Sequence, residues 1–162
     1  AGRVGPALHV TIVGEGPHRA ELERLIQRRN LADRVRLLRP VPPAEVPQRL
    51  AGMDVLVLPS RRTPVWKEQF GRVLAEAMAC AIPVIGSESG AIPEVIADAG
   101  LTFPEGDADA LAERIGRLMV SPALRSDLVA RGRRRVAELY TQERVAAQTA
   151  DVWRALLAEA IA

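Results

Sequence analysis

Apolar positions along the 162-residue chain follow two alternating rhythms. Short, continuous, largely β-branched runs stand at 8–13 (LHVTIV), 35–38 (VRLL), 55–58 (VLVL), 83–86 (PVIG) and about 101–103 (LTF), and they read as strands. The first of them is expected to be a buried strand. Between the runs, apolar residues recur every three or four positions, as at Leu22, Leu25 and Ile26, which predicts helices. The first helix follows the turn Gly14-Glu15-Gly16-Pro17, with Pro17 suited to its first turn. A short helix is expected from Pro42-Pro43 to about Ala51, a longer one over 71–80, and a helical turn near 93–97.

After Pro104 the strands stop. Asp107 starts a helix to about Val120, with Leu111, Ile115, Leu118 and Met119 as its apolar positions. Ser121-Pro122 begins a second, and Thr141, with Arg144 three residues on, a third. Strands that alternate with helices imply right-handed βαβ units. The expected fold class is therefore α/β: a Rossmann-like parallel sheet flanked by helices, with a helical C-terminal segment. No repeat, low-complexity tract or long linker interrupts residues 1–162, which read as a single domain.

Composition narrows the choice of partner. A 48% hydrophobic and 26% charged chain suits a soluble globular protein, and a net charge of +2 gives no strong pull toward nucleic acid. Aromatic side chains are only 3% of residues, too few for base-stacking platforms. Of the 22 basic side chains, Lys67 is the only lysine. The single cysteine, Cys80, can form no disulfide within the chain, and with two histidines it suggests no metal site. Cys80 reads as a small core residue. No signal peptide or membrane-length apolar run is visible, so a cytoplasmic protein is expected.

The most specific stretch is PSRRTPVWKEQFGRVLAEAMACAIPVIGSESGAIPEVI at 59–96. Glu68 ends a polar loop and Glu76 lies eight residues on, within the predicted helix. A helix N-terminus carries unpartnered N–H groups and the positive end of the dipole, so it attracts anions. Carboxylates on either side of it suit a ligand that offers hydroxyls and phosphate together. Gly71 would let a ligand approach the backbone. Glu76, inside the apolar run LAEAMAC, needs a partner for its charge. Two glutamates eight apart also arise on an ordinary solvated helix face.

E-x7-E with Phe70-Gly71 after the first glutamate, then EAMAC, PV and G-x-PEV, resembles the retaining glycosyltransferases of family 4, which have the GT-B fold. The resemblance implies that the chain is the C-terminal, donor-binding domain of such an enzyme. Glu68 would face the donor sugar and stabilise developing positive charge rather than form a covalent intermediate. Glu76 would hold the ribose hydroxyls. Backbone N–H groups around Gln69, Phe70, Gly71, Arg72 and Val73 would meet sugar hydroxyls and phosphate. Gly14 and Gly16 match the family's G-x-G-P turn, and Arg39 and Val41 stand where family members line the base pocket. The donor would be a UDP-, GDP- or ADP-sugar, with neither cofactor nor metal.

Several features stay open at this level. The same Gly14-to-Ala20 stretch fits a loose dinucleotide fingerprint, but Pro17 removes a phosphate-binding N–H and the second strand ends in Arg39 rather than an acid. Arg61 and Arg62 could contact phosphate or acceptor, or simply be solvated. Ser87, Ser89, Gly90, Pro93 and Glu94 match the family's stretch after the fourth strand, with Gly90 relieving a tight turn and Glu94 bracing. Arg131, Arg133, Arg134 and Arg135 form a solvated helix face or a patch for anionic lipid, which would suit peripheral membrane contact. Ala81 replaces the glycine usual after EAMAC.

Family members also carry a pyrophosphate-clamping Arg and Lys ahead of the first strand seen here. Arg3 is not in that context, and Lys67 lies too close to Glu68 to match. The chain is thus expected to lack an N-terminal acceptor-binding domain and the first βα unit, and to have little activity alone. The last helix would pack toward that domain through residues such as Trp153 and Leu157. Two other functions fit the same residues. One is a non-catalytic nucleotide-sugar-binding or assembly module, and the other a nucleotide-sugar epimerase of GT-B architecture.

Overall fold

The computed structural model describes residues 8–161; Arg3 lies outside them. Five parallel strands alternate with helices and three longer helices follow. Strand β1 (Val10–Val13) leads through α1 (Arg19–Arg28) to β2 (Val35–Leu38). A 3-10 turn at Pro43–Glu45 and α2 (Val46–Leu50) precede β3 (Leu56–Leu58). Then come α3 (Arg72–Ala79), β4 (Val84–Ser87), α4 (Ile92–Ile96), a 3-10 turn at Ala97–Ala99 and β5 (Leu101–Phe103). The chain ends in α5 (Ala108–Val120), α6 (Pro122–Leu139) and α7 (Gln142–Ile161).

The strands form two parallel sheets among the described residues. One pairs β1 with β2, Val13 opposite Leu38; the other has the order β3-β4-β5, with Leu58 opposite Gly86 and Ser87 opposite Phe103. Parallel order places every strand's C-terminal end on one side of its sheet, where open α/β sheets bind ligands. Two apolar clusters hold the second sheet between helices. Leu74, Ala77 and Met78 of α3 pack with Val84, Ile92 and Ile96, and on the other side Ile85 and Phe103 meet Leu118 of α5 and Leu128 of α6.

The first strand departs from expectation. Ile12 and Val13 are exposed at 39% and 38%, and Leu25 of α1 at 40%. Neither apolar cluster contains a residue before Val46, so nothing among the described residues lays a second apolar layer over β1. An apolar run reports a capacity for burial, not the presence of a cover. The helix start also shifts. Arg19 is the first residue of α1 and Pro17 stands in the preceding turn, where the Arg19 N–H donates to the Gly16 carbonyl at 3.1 Å.

The predicted caps are formed. The Asp107 carboxylate accepts from the N–H groups of Asp109 and Ala110 at 3.0 and 2.9 Å. Ser121 Oγ accepts from Leu124 N at 3.2 Å, and Thr141 Oγ1 from Arg144 N at 3.3 Å. Helix α3 ends in paired 6→1 and 5→2 bonds: Ile82 N donates to Ala77 O at 2.9 Å and Ala81 N to Met78 O at 3.1 Å. This end puts Ala81 at φ +60°, a left-handed conformation that disfavours a Cβ. Ala81→Gly should therefore stabilise the chain by about 0.5–1 kcal/mol, read as a higher denaturant midpoint with unchanged slope. A lower midpoint would show that glycine's unfolded-state entropy outweighs the relieved strain.

Helix α7 is long and little buried. Val152, Trp153, Leu156 and Leu157 are exposed at 59%, 64%, 56% and 59%. These residues recur at three- and four-residue spacing and so share one face of the helix, opposite the Asp151–Arg154 ion pair at 2.7 Å. No helix among the described residues is long and apolar enough to cross a membrane.

Candidate functional site

The loop from Pro59 to Phe70 leaves the C-terminal end of β3 and delivers the chain to α3. Its tip folds back on itself, with Thr63 N donating to Trp66 O at 2.8 Å, and exposes Val65 and Trp66. The far end of the loop is fixed by Glu68. Its carboxylate accepts the Gly71 N–H at Oε1 and the Ser60 hydroxyl at Oε2, both at 3.1 Å. Glu68 thus sits at the start of α3, half-buried, between the first and last parts of one loop.

Gly71 takes φ +75°, and no side chain caps the helix. A Cβ there would lie 2.9 Å from Leu58 Cδ2 and 3.0 Å from Leu74 Cδ1. The positive φ of the turn favours glycine here, and a Cβ would also press on the side-chain ends of Leu58 and Leu74. The ring of Phe70 meets that of Tyr140 edge-on, with centroids 5.2 Å apart. The first-turn N–H groups of Arg72 and Val73 have no acceptor within the helix.

Glu76 lies little more than one turn into α3, since the helix begins at Arg72. It has the partner its apolar neighbours demand: Arg72 Nε approaches Glu76 Oε1 at 3.0 Å. The side chains are 79% and 36% exposed, so the pair is worth only a few tenths of a kcal/mol to the fold, about what an exposed i,i+4 pair contributes. The carboxylate stays open to a second partner.

The turn after β4 clamps Glu68 from the other side. Gly90 has φ +58°, and a Cβ on it would fall 1.9 Å from the Glu68 carbonyl oxygen. That oxygen accepts the Ala91 N–H at 3.0 Å. Ser87, 1% exposed, donates from Oγ to the Ser60 carbonyl at 2.6 Å. Ser89 is fully buried, and its hydroxyl has no partner among the described residues.

Between these loops lies an open cleft of ≈ 490 Å³, lined by Arg62, Lys67, Glu68, Gln69, Gly90, Ala91 and Glu94. Arg62 and Lys67 bring two cations to its wall beside the carboxylates of Glu68 and Glu94. The Arg62 N–H donates to Glu105 Oε1 at 2.7 Å, which holds the loop against the exit of β5. Among the described residues, no three His, Cys, Asp or Glu side chains gather as metal donors.

Gly14, Gly16, Arg39 and Val41 stand together at the exits of β1 and β2. No hydrogen bond, ion pair or ring contact among the described residues joins them to 68–76. The Gly14 N–H is committed to Leu38 O at 3.1 Å, and the Arg19 guanidinium donates to the Gly14 and Leu37 carbonyls at 3.5 and 3.4 Å. The arginine cluster on α6 divides. Arg131 pairs with Asp127 at 2.7 Å and Asp98 at 3.6 Å. Arg135 donates to the Glu94 and Val95 carbonyls at 2.7 and 2.8 Å and lies over the Tyr140 ring. Only Arg133 and Arg134 are exposed. Arg135 and Tyr140, whose hydroxyl reaches Val95 O at 3.3 Å, link α4 to Phe70. Sequence reading missed this link, for it joins residues 40 to 70 positions apart.

The family model for Glycosyl transferases group 1 matches residues 2–135, which contain the loop, α3 and the Gly90 turn. The chain belongs to this family. As a group 1 glycosyl transferase sequence it is 33% identical over 144 residues to N-acetyl-alpha-D-glucosaminyl L-malate synthase of Bacillus anthracis, covering 88% of this chain and 36% of the relative. Sucrose-phosphate synthase from Thermosynechococcus elongatus superposes with a TM-score of 0.77 at 35% identity, over 92% of this chain and 38% of that one. Anabaena HepE, solved in complex with UDP, gives 0.83 at 23% identity over 94% and 42%. The fold is thus that of a GT-B glycosyltransferase domain. This group 1 chain spans little more than a third of the length of the curated relative just named.

Proposed function

We propose that this chain is the nucleotide-sugar-binding domain of a retaining glycosyltransferase, and that an acceptor-binding domain completes the enzyme. The observation that carries the reading is the placement of Glu68. A carboxylate held at the start of a helix, on the wall of a cleft with two cations, offers acceptors for sugar hydroxyls and charge for phosphate. In this reading Glu68 faces the sugar, Arg72 and Val73 offer their N–H groups to phosphate, and Glu76 holds the ribose diol. Gln69 lines the same cleft, and the backbone N–H groups of Gln69 and Phe70 add to these donors in this reading. Gly14, Gly16, Arg39 and Val41 form the base side. HepE binding UDP supports a nucleotide donor.

The test is a titration of the chain with UDP-glucose, GDP-mannose and ADP-glucose, followed by amide chemical shifts. Perturbations should centre on 68–76 for one of the three. Glu76→Ala should weaken binding of that donor about tenfold or more, the value of a charge-assisted hydrogen bond. Shifts that avoid 68–76, or a Glu76→Ala variant with unaltered affinity, would remove the assignment.

A further inference from the structure

We propose that Ser60 is a positioning residue that fixes the Glu68 carboxylate for the donor sugar, and that Ser87 holds Ser60 in place. This rests on the donor-site reading above. The three residues form a directed chain. Ser87, 1% exposed at the C-terminal end of β4, donates its hydroxyl to the Ser60 carbonyl at 2.6 Å. Ser60, at the exit of β3, donates its own hydroxyl to Glu68 Oε2 at 3.1 Å. The Gly71 N–H takes the other carboxylate oxygen, also at 3.1 Å.

A carboxylate has about four lone-pair sites. The Ser60 hydroxyl and the Gly71 N–H occupy one on each oxygen, which fixes the rotation of the group and leaves one site per oxygen for ligand hydroxyls. Without Ser60, Glu68 keeps its charge and its Gly71 bond, yet its side chain regains rotational freedom. The sugar then pays for ordering it on binding. In the donor-site reading the nucleotide diphosphate makes no contact with Glu68 and is unaffected. Only the sugar part of the affinity depends on Ser60.

The experiment compares UDP with UDP-glucose and GDP with GDP-mannose by calorimetry on the chain and four variants. Ser60→Ala should weaken the sugar-nucleotide roughly tenfold while leaving the matching diphosphate within about twofold. Ser60→Thr keeps the hydroxyl and should restore the sugar-dependent affinity. Ser87→Ala should give a smaller loss of the same kind. Ser89→Ala, equally buried but unbonded through its hydroxyl, should change neither ligand. Equal losses for diphosphate and sugar-nucleotide, or no rescue by threonine, would overturn the proposal and leave Ser60 a structural residue. If the unaltered chain binds neither member of these pairs, and neither ADP nor ADP-glucose, the donor-site reading itself fails.

Discussion

Gly90→Ala is expected to lose about 3 kcal/mol of stability and, with it, donor binding. Two penalties combine. The residue sits at φ +58°, and its Cβ would lie 1.9 Å from the Glu68 carbonyl oxygen. A contact of that length cannot be absorbed by a side-chain rotamer, because both partners are backbone. Either the turn after β4 or the end of the 59–70 loop must move, and the Ala91–Glu68 hydrogen bond breaks in both cases. The cleft is thereby distorted on two walls. Gly116 provides the contrast, as a helical glycine of α5 with nothing within 4 Å of its would-be Cβ. Gly116→Ala should stabilise by about 0.5–1 kcal/mol. Denaturant unfolding of both variants, with sugar-nucleotide titration of each, checks the pair. A Gly90→Ala variant with normal midpoint and normal affinity would show that the loops yield without consequence.

The second large effect concerns charge alone. In the complete transferase, Glu68→Gln should lower kcat by about 10²–10³-fold, the scale of losing one preorganised electrostatic stabiliser. The fold should survive, since the amide oxygen can still accept from Gly71 N–H while the amide nitrogen donates to Ser60, whose hydroxyl can act either way. Thermal midpoint and kcat therefore separate. Comparable turnover by this variant would mean that Glu68 only orients the sugar, and loss of folding would leave the electrostatic role without support.

Much of this was legible along the chain, and the limits follow from distance in sequence. Helix starts depend on residues three apart, so the caps at Asp107, Ser121 and Thr141 were visible in the sequence and are formed. The strands were found by their apolar runs, but the exposure of Ile12 and Val13 was not, because coverage depends on what packs above them. The partner required by Glu76 lay one turn away at Arg72, within reach of pattern reading. What was not legible crosses between elements: Ser60 and Ser87 beneath Glu68, Phe70 against Tyr140, and Arg135 on the carbonyls of α4. The contact that a Cβ at Gly71 would make with Leu58 was also hidden, since Leu58 comes thirteen residues earlier and only the fold brings it there. Among the four clustered arginines, sequence could count charges but could not tell that two were already engaged.

Neither apolar cluster draws a residue from α7. Its 20 residues extend about 30 Å, at 1.5 Å per residue, without adding to the interior. Cutting the chain after Tyr140 would leave both clusters and the whole Glu68 loop intact, so folding and the terminal helix are separable properties. Substitutions along α7 are then free of the restraint that a packed interior imposes on α3. The helix can drift in sequence, be exchanged or be tagged at little cost to the domain, and any constancy in its apolar face must be imposed by what that face meets.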